Sequence, residues 1–296
     1  MQNAAPVQLR QIRDFGQLIA TTFTFLKQNW RPLFRAIGTL CVPVALVAGF
    51  FAGDSLAAMQ QMNMTPSADP TAIFSRLGRT VTTLIPAYIL LMFAFLLLVA
   101  IVHEYIRAYD KSEHVGITTG DLWRRTWPQL GSYFGASFLS SLLALVAVVL
   151  CFLPSLYVIA VLALTFTCHA VERTGGAGSL SRSNQLVKGD FWPTLGLVLI
   201  IGLINAIVNV PAQIPVAMVT NIYTMNSMVQ TLQGGEPAEL PRWFGMFMSI
   251  ATAVQWSLMM LSYPIIAVCL ALKYFSRIEE KEAPSLREKI QGFEQA

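Results

Sequence analysis

Long apolar segments constrain this chain more than any other feature of its sequence. Six of them, at about 33–51, 81–102, 132–153, 155–170, 194–219 and 244–274, consist almost entirely of apolar residues. A transmembrane α-helix needs about 20 such residues to cross roughly 30 Å of hydrocarbon. Charged residues form only 12% of the chain, against roughly 25% in soluble proteins. The sequence therefore predicts an all-α polytopic membrane protein with six transmembrane helices.

We expect one membrane domain over residues 1–296. It would have a cytoplasmic leader at 1–32, a six-helix membrane region at 33–275 and a cytoplasmic tail at 276–296. Polar loops are predicted at 54–79 and 220–242, and Ser285 is a candidate cap for a short helix in the tail.

The stretches before three of the apolar segments follow one pattern. The sequences LKQNWRPLF (26–34), LWRRTWPQLG (122–131) and LVKGDFWPTLG (186–196) each pass from basic and polar residues through tryptophan and proline into apolar residues. Tryptophan favours the membrane boundary, and proline is tolerated in the first turn of a helix. The pattern therefore indicates either a boundary motif used three times or an internal duplication.

Amphipathic segments before each copy favour the duplication. In the first, Phe15, Leu18, Ile19, Phe23 and Leu26 recur at helical spacing, which is typical of a helix lying in the membrane interface. An extension of the first span into the cytosol is the alternative. We predict three two-helix units, each preceded by an amphipathic interfacial helix, related by an axis along the membrane normal.

Positive charge predicts the orientation of the chain. Three of the 20 lysine and arginine residues, Arg76, Arg79 and Arg242, fall in the two loops assigned to one side. The others lie within or next to the leader, the 103–130 and 171–193 loops and the tail. Because positively charged loops stay in the cytoplasm, both termini are expected to be cytoplasmic.

Two stretches carry a resemblance to a known family. They are FGQLIATTF (15–23), which leads to Asn29 and Trp30, and SRSNQLVKG (181–189), which follows the fourth apolar segment. With these stretches and its six-segment layout, the chain resembles bacterial six-span proteins related to the membrane domain of glycerophosphoryl diester phosphodiesterases. The resemblance implies a bacterial inner-membrane protein. It implies no enzyme activity, because no stretch outside the apolar segments is long enough for the phosphodiesterase barrel.

The fifth segment carries the strongest candidate site. Three amides recur every four residues and share one helix face: Asn205, Asn209 and Gln213. In hydrocarbon, such amides need partners, either across a helix interface or in a water-filled cavity. Packing against Gln255 or Ser262 of the sixth segment is one interpretation. A cavity beside the carbonyl groups freed by Pro211 and Pro215 is the other.

Further candidate contacts lie where the segments meet the interface. They are tryptophan and basic residues: Trp30, Arg31, Arg124, Arg125, Trp127, Arg182, Lys188 and Trp192. Their basic side chains could bind anionic lipid headgroups. The positive-inside rule explains the same pattern without a specific lipid, so both interpretations stay open.

The sequence has no pattern typical of catalysis or metal binding. It lacks an H-E-x-x-H motif, a Ser/His/Asp set and a glycine-rich phosphate loop. His103 and His169 are expected to be interfacial, and the methionines of the outer loops lack the histidines that accompany copper sites. The four cysteines lie in apolar segments, where small buried side chains are expected. We therefore expect no catalytic residue, no cofactor and no metal.

These observations favour a non-enzymatic membrane protein that acts as a subunit or scaffold of a larger assembly. The expected partners are the lipid bilayer, other membrane proteins and anionic lipids, with no nucleic acid. A small-molecule or lipid transporter or channel is the main alternative, and it would use the threefold repeat and the polar face of the fifth segment. A lipid-modifying enzyme is a further alternative, with His103 and His169 and their neighbouring carboxylates as its reactive set.

Overall fold

Helices form most of the chain in the computed structural model, which describes residues 5–64, 70–150, 152–235 and 240–283. Their order is α1 (Phe15–Leu40), α2 (Val42–Met64), α3 (Pro70–Asp110), α4 (Thr119–Thr126), α5 (Leu130–Leu150), α6 (Phe152–Glu172), α7 (Gly175–Val187), α8 (Phe191–Leu232) and α9 (Trp243–Glu282). A 3₁₀ turn at Trp127–Gln129 joins α4 to α5.

Six stretches of the described chain are long and apolar enough to cross a membrane. They are Val42–Met62, Ile73–Asp110, Thr119–Val149, Pro154–Glu172, Phe191–Leu232 and Trp243–Glu282. The predicted class, an all-helical protein with six candidate transmembrane helices, is confirmed at this level.

The first two helices correct the predicted bounds of the first span. α1 continues from Phe15 through Pro32 to Leu40, and the candidate span is Val42–Met62 instead of 33–51. The two helices are separated at Cys41, whose N–H still donates to the carbonyl oxygen of Ile37 at 2.8 Å and whose carbonyl accepts from the N–H of Ala45 at 3.0 Å. Pro43 follows in the first turn of α2, where its missing N–H would have no helical partner in any case.

The two predicted polar loops are largely helical. α2 continues through Asp54 to Met64, α3 begins at Pro70, and α8 continues to Leu232. Alanine, methionine and glutamine are strong helix formers and make up much of the stretch after Asp54, so they favour the extension of α2. At the other end of the chain, α9 runs to Glu282, and the short helix predicted from Ser285 lies outside the described residues.

The chain divides into two subdomains. The first comprises the described residues of Met1–Ala36, Leu96–Asn205 and Tyr263–Ala296, and the second those of Ile37–Phe95 and Ala206–Ser262. Helices α1, α3, α8 and α9 each contribute a segment to both.

Aromatic side chains fill the core of the first subdomain. Phe25, Tyr105, Tyr133 and Tyr274 are among its largest fully buried side chains. Tyr105 Oη donates a hydrogen bond to Asn29 Oδ1 at 2.8 Å, and the ring of Phe25 lies edge-on to that of Tyr105. The hydrogen bond satisfies two buried polar groups and joins α1 to α3.

In the second subdomain, α2 and α9 are in close backbone contact. A Cβ added at Gly49 would lie 2.5 Å from Cα of Ala253, and one added at Gly53 would lie 2.3 Å from Cα of Ser249. No larger side chain fits at either glycine, and the facing residues are themselves small. A G-x-x-x-G pattern of this kind allows transmembrane helices to pack closely.

Candidate functional site

A buried carboxylate in the first subdomain is held by partners from two other segments of the chain. Glu104 in α3 forms an ion pair with Arg173 at 2.7 Å and accepts a hydrogen bond from Tyr133 Oη at 3.1 Å. A buried charge is tolerated only where it is paired and hydrogen-bonded. Glu104 therefore links α3, α5 and the residue that follows α6.

A second ion-pair cluster lies where α8 begins. Asp190 directly precedes α8 and accepts a hydrogen bond from Thr194 Oγ1 at 2.9 Å. Its Oδ2 lies 2.7 Å from Lys273 Nζ and 3.5 Å from Arg277 Nε, both in α9. A carboxylate at a helix N-terminus is also favoured by the helix dipole. Asp190 thus binds the start of α8 to α9.

Arg182 in α7 bridges two carboxylates. Its Nε lies 2.9 Å from Glu172 Oε1 and its Nη2 lies 2.5 Å from Glu282 Oε1. Tyr274 Oη also donates to Glu172, at 2.8 Å. Burial alone would lower the pKa of Arg182, but the hydrogen bonds to Glu172 and Glu282 outweigh it and raise that pKa above its ordinary value. Arg182, predicted as a lipid contact, is thus held by ion pairs within the chain.

The other predicted interface residues lie on the surface. The exposed ones are Trp30, Arg31, Arg124, Arg125, Trp127, Lys188 and Trp192. The guanidinium of Arg31 lies 5.6 Å from the ring centre of Trp30. Arg125 forms an ion pair with Glu113 at 2.5 Å, and this hydrogen bond holds the pKa of the Glu113 carboxyl below its ordinary value. All seven are accessible to headgroups, and Arg125 alone among them has an anionic side-chain partner within the described residues, Glu113.

The two histidines predicted at the interface are buried within the protein. His103 Nδ1 lies 2.8 Å from the carbonyl oxygen of Val99 in its own helix, and His169 Nδ1 lies 3.3 Å from Ser179 Oγ. Aromatic side chains pack against both rings, Phe166 against His103 and Tyr133 against His169, and the interfacial position stays a prediction. Within the described parts of the chain, no group of three or more His, Cys, Asp or Glu residues could hold a metal ion. Cys41, Cys168 and Cys269 are buried, while Cys151 lies outside those parts.

The amides predicted on one face of α8 differ in their surroundings. Asn209 Nδ2 donates a hydrogen bond to Ser262 Oγ of α9 at 2.9 Å, a contact of the kind that the packing interpretation expects. Asn205 and Gln255 are half-buried, and Gln213 is exposed. One amide of α8 therefore binds α9, while another lies on a face that the described residues leave uncovered.

The sequence did not predict a cavity of about 780 Å³ in the second subdomain. Residues of α2, α3 and α9 line it, among them Phe51, Asp54, Thr82, Leu90 and Ser249. It was missed because Asp54 was assigned to a loop, whereas it lies within the long helix α2. The G-x-x-x-G pattern directly before Asp54 is the signal that could have indicated a helix there.

Long apolar helices joined by buried ion pairs and amide contacts define an integral, multi-pass membrane protein. A family model described as a domain of unknown function (DUF7847) matches residues 126–273, half of the chain. The chain belongs to this family. No curated protein and no solved structure matches the chain. Since the family description names no function, the resemblance to the phosphodiesterase-related membrane proteins stays a prediction.

Proposed function

We propose that this chain is a non-enzymatic subunit or scaffold of a larger assembly in a bacterial inner membrane. The observation that carries the proposal is the uncovered face of α8. In the most apolar stretch of α8 only 17% of the residues are buried, against 67% in α9. Lipid tails can cover the apolar part of that face, but they cannot satisfy the exposed amide of Gln213. A helix from another membrane protein can, and interhelical amide contacts of this kind stabilise membrane complexes.

The state of the charged groups supports a structural role over a catalytic one. Glu104, Glu172 and Asp190 are all bound to arginine or lysine side chains. A reactive carboxylate–histidine set would need a group left free to exchange protons with a substrate. The resemblance to six-span proteins without a phosphodiesterase barrel also supports this part of the proposal.

The order of the helices supports three repeated units. Each of α1, α4 and α7 precedes a pair of apolar helices, and the three tryptophan–proline stretches fall at these positions. The proposal includes an amphipathic, interfacial role for α1, α4 and α7. By the distribution of basic residues, both termini would be cytoplasmic, with anionic lipids at the exposed arginines.

Photo-crosslinking from α8 tests the subunit proposal. A photoreactive amino acid at Ile207 of α8 should crosslink to another protein in native membranes. The same probe at Phe138 of α5 is the matched control, since the two side chains are 61% and 63% exposed and the α5 position should react only with lipid. Mass spectrometry of complexes extracted into native nanodiscs should then identify the same partner. If Ile207 also labels only lipid, and the chain is extracted alone, the subunit proposal is wrong.

A transporter or channel is the second candidate, and the cavity in the second subdomain favours it. Single cysteines at Asn205 and Asn209 distinguish the two functions. Labelling of both by a water-soluble thiol reagent would support a hydrated pathway along α8. Protection of both would support packing, in line with the Asn209–Ser262 hydrogen bond.

A further inference from the structure

The cavity in the second subdomain has the size and lining of a small-molecule site. Its volume of about 780 Å³ lies within the range of roughly 300–1,000 Å³ that is usual for ligand pockets. Apolar side chains form much of the wall, including Phe50, Phe51, Leu90 and Met246. The polar lining includes Asp54 and Thr82. Such a wall suits a largely apolar molecule with one polar end.

The charge at the polar end is set by Asp54. Its Oδ1 lies only 2.9 Å from the position that a Cβ on Gly245 would take, so the carboxylate lies against the first turn of α9. Among the residues that the structure describes, no lysine, arginine or histidine forms an ion pair with Asp54, in contrast to Glu104, Glu172 and Asp190. The cavity therefore presents one carboxylate without a cationic partner from the described chain.

Aromatic rings add to the preference for positive charge. Phe50 and Phe51 both line the cavity, and their ring centroids lie 6.2 Å apart in an edge-to-face arrangement. The cavity is open on one side, where both rings are exposed, and the face of an aromatic ring attracts an organic cation. A carboxylate and two phenyl rings in one apolar cavity complement a cation that carries apolar groups.

We propose that this cavity binds amphipathic organic cations, molecules with an apolar body and a single positive charge. An anion of the same size would meet the Asp54 carboxylate with like charge. A neutral molecule would cover that carboxylate without pairing it, which is costly. The proposal goes beyond the subunit role of α8 and does not depend on it, because the cavity is lined by α2, α3 and α9.

Tetraphenylphosphonium binding to the full-length protein in phosphatidylcholine nanodiscs tests the proposal, with empty nanodiscs as the reference. We expect saturable binding of one cation per chain. Tetraphenylborate, which has nearly the same size and the opposite charge, should show no saturable binding. Asp54→Asn keeps the side-chain size and removes the charge, so it should weaken cation binding at least about tenfold, or 1.4 kcal/mol. Glu113→Gln removes an exposed carboxylate outside the cavity and should leave binding unchanged.

A second variant decides the outcome if Asp54→Asn does not fold. Thr82→Trp keeps the carboxylate and fills part of the cavity, so it should also weaken cation binding. The proposal is overturned if the folded Asp54→Asn protein binds the cation as tightly as the wild type. If Asp54→Asn does not fold, wild-type affinity in the Thr82→Trp protein overturns it. Absence of saturable binding to the wild type, or equal binding of the borate, would overturn it as well.

The positive charge could come from a free molecule or from the amine of a lipid headgroup. Nanodiscs with added phosphatidylethanolamine distinguish these sources. Competition that weakens tetraphenylphosphonium binding supports a lipid amine as the occupant, and unchanged binding supports a free cation. Both outcomes retain the amphipathic cation as the ligand class.

Discussion

Replacing Gly53 with alanine should push α2 away from α9. The added Cβ would lie 2.3 Å from Cα of Ser249 and 2.4 Å from the carbonyl oxygen of Met248, whereas ordinary contacts begin at 3.4 Å. The atoms it would meet belong to the α9 backbone, so a side-chain rotation cannot relieve the clash. The helices must separate by about 1 Å, a gap that removes roughly a quarter to a half of the dispersion attraction across the contact.

The net cost of Gly53→Ala follows from two opposing contributions. Overpacking of a close contact costs about 1–3 kcal/mol. Alanine stabilises a helix by up to about 1 kcal/mol relative to glycine, which offsets part of this cost. The free energy of unfolding should therefore fall by about 1–2 kcal/mol. Gly49→Ala should have a similar effect, since its Cβ would lie 2.5 Å from Cα of Ala253. One separation of the helices accommodates both added methyl groups, so the double variant should lose less than the sum of the two single losses.

Unfolding by titration with a denaturing detergent measures these differences in purified protein. Gly78→Ala is the matched control, because it lies in a helix of the same subdomain and an added Cβ would have nothing within 4 Å. It should be neutral or stabilising. If Gly53→Ala behaves like Gly78→Ala, or the two α2 variants are fully additive, the close contact between α2 and α9 is refuted.

Three further outcomes are expected. Replacing either Asn209 or Ser262 with alanine should lower the free energy of unfolding by about 0.6 kcal/mol. A double-mutant cycle measured by detergent unfolding should give a coupling energy of the same size. Additive losses would mean that the hydrogen bond between them contributes nothing. Asp190→Asn removes the carboxylate that pairs with Lys273, so the free energy of unfolding should fall by about 3 kcal/mol in the same assay. A near-neutral result would contradict the buried ion pair. Burial lowers the pKa of His114, so the folded state disfavours its protonated form, and stability should be complete above about pH 6.5 and fall below it. The melting temperature of His114→Gln should depend less on pH in that range, and an equal dependence would refute the effect.

Composition made the helical membrane class predictable, but it could not give the helix ends. Hydropathy marks where a helix enters hydrocarbon, whereas helix propensity determines how far the helix continues. The stretch after Asp54 is polar enough to resemble a loop, yet its alanine, methionine and glutamine residues carry α2 to Met64. α8 also continues past its apolar segment, to Leu232, although threonine and asparagine, which are weak helix formers, are frequent in its last turns. Both errors came from treating the end of the apolar segment as the end of the helix.

The candidate site was predictable only where its residues are neighbours in sequence or share a helix face. The four-residue spacing of the α8 amides identified Asn209 as a candidate. Ser262 was a possible partner because it is one of the few polar residues in the next helix. The cavity forms where α9 packs beside α2 and α3, which lie far from it in sequence. The burial of His103 and His169 depends on neighbours from other segments, which hydropathy does not indicate.

The close contact and the cavity in the second subdomain have a common cause. Gly49 and Gly53 are four residues apart and share one face of α2, which brings its backbone against α9. Phe50 and Phe51 lie between them in sequence and turn to other sides of α2, where they line the cavity. Asp54 follows Gly53 directly, so the glycine contact also sets how near the carboxylate comes to the first turn of α9. The glycines on one face of α2 allow the tight contact with α9, and the phenylalanines on the neighbouring faces line the cavity beside it. The Asp54 carboxylate lies at the edge of that cavity.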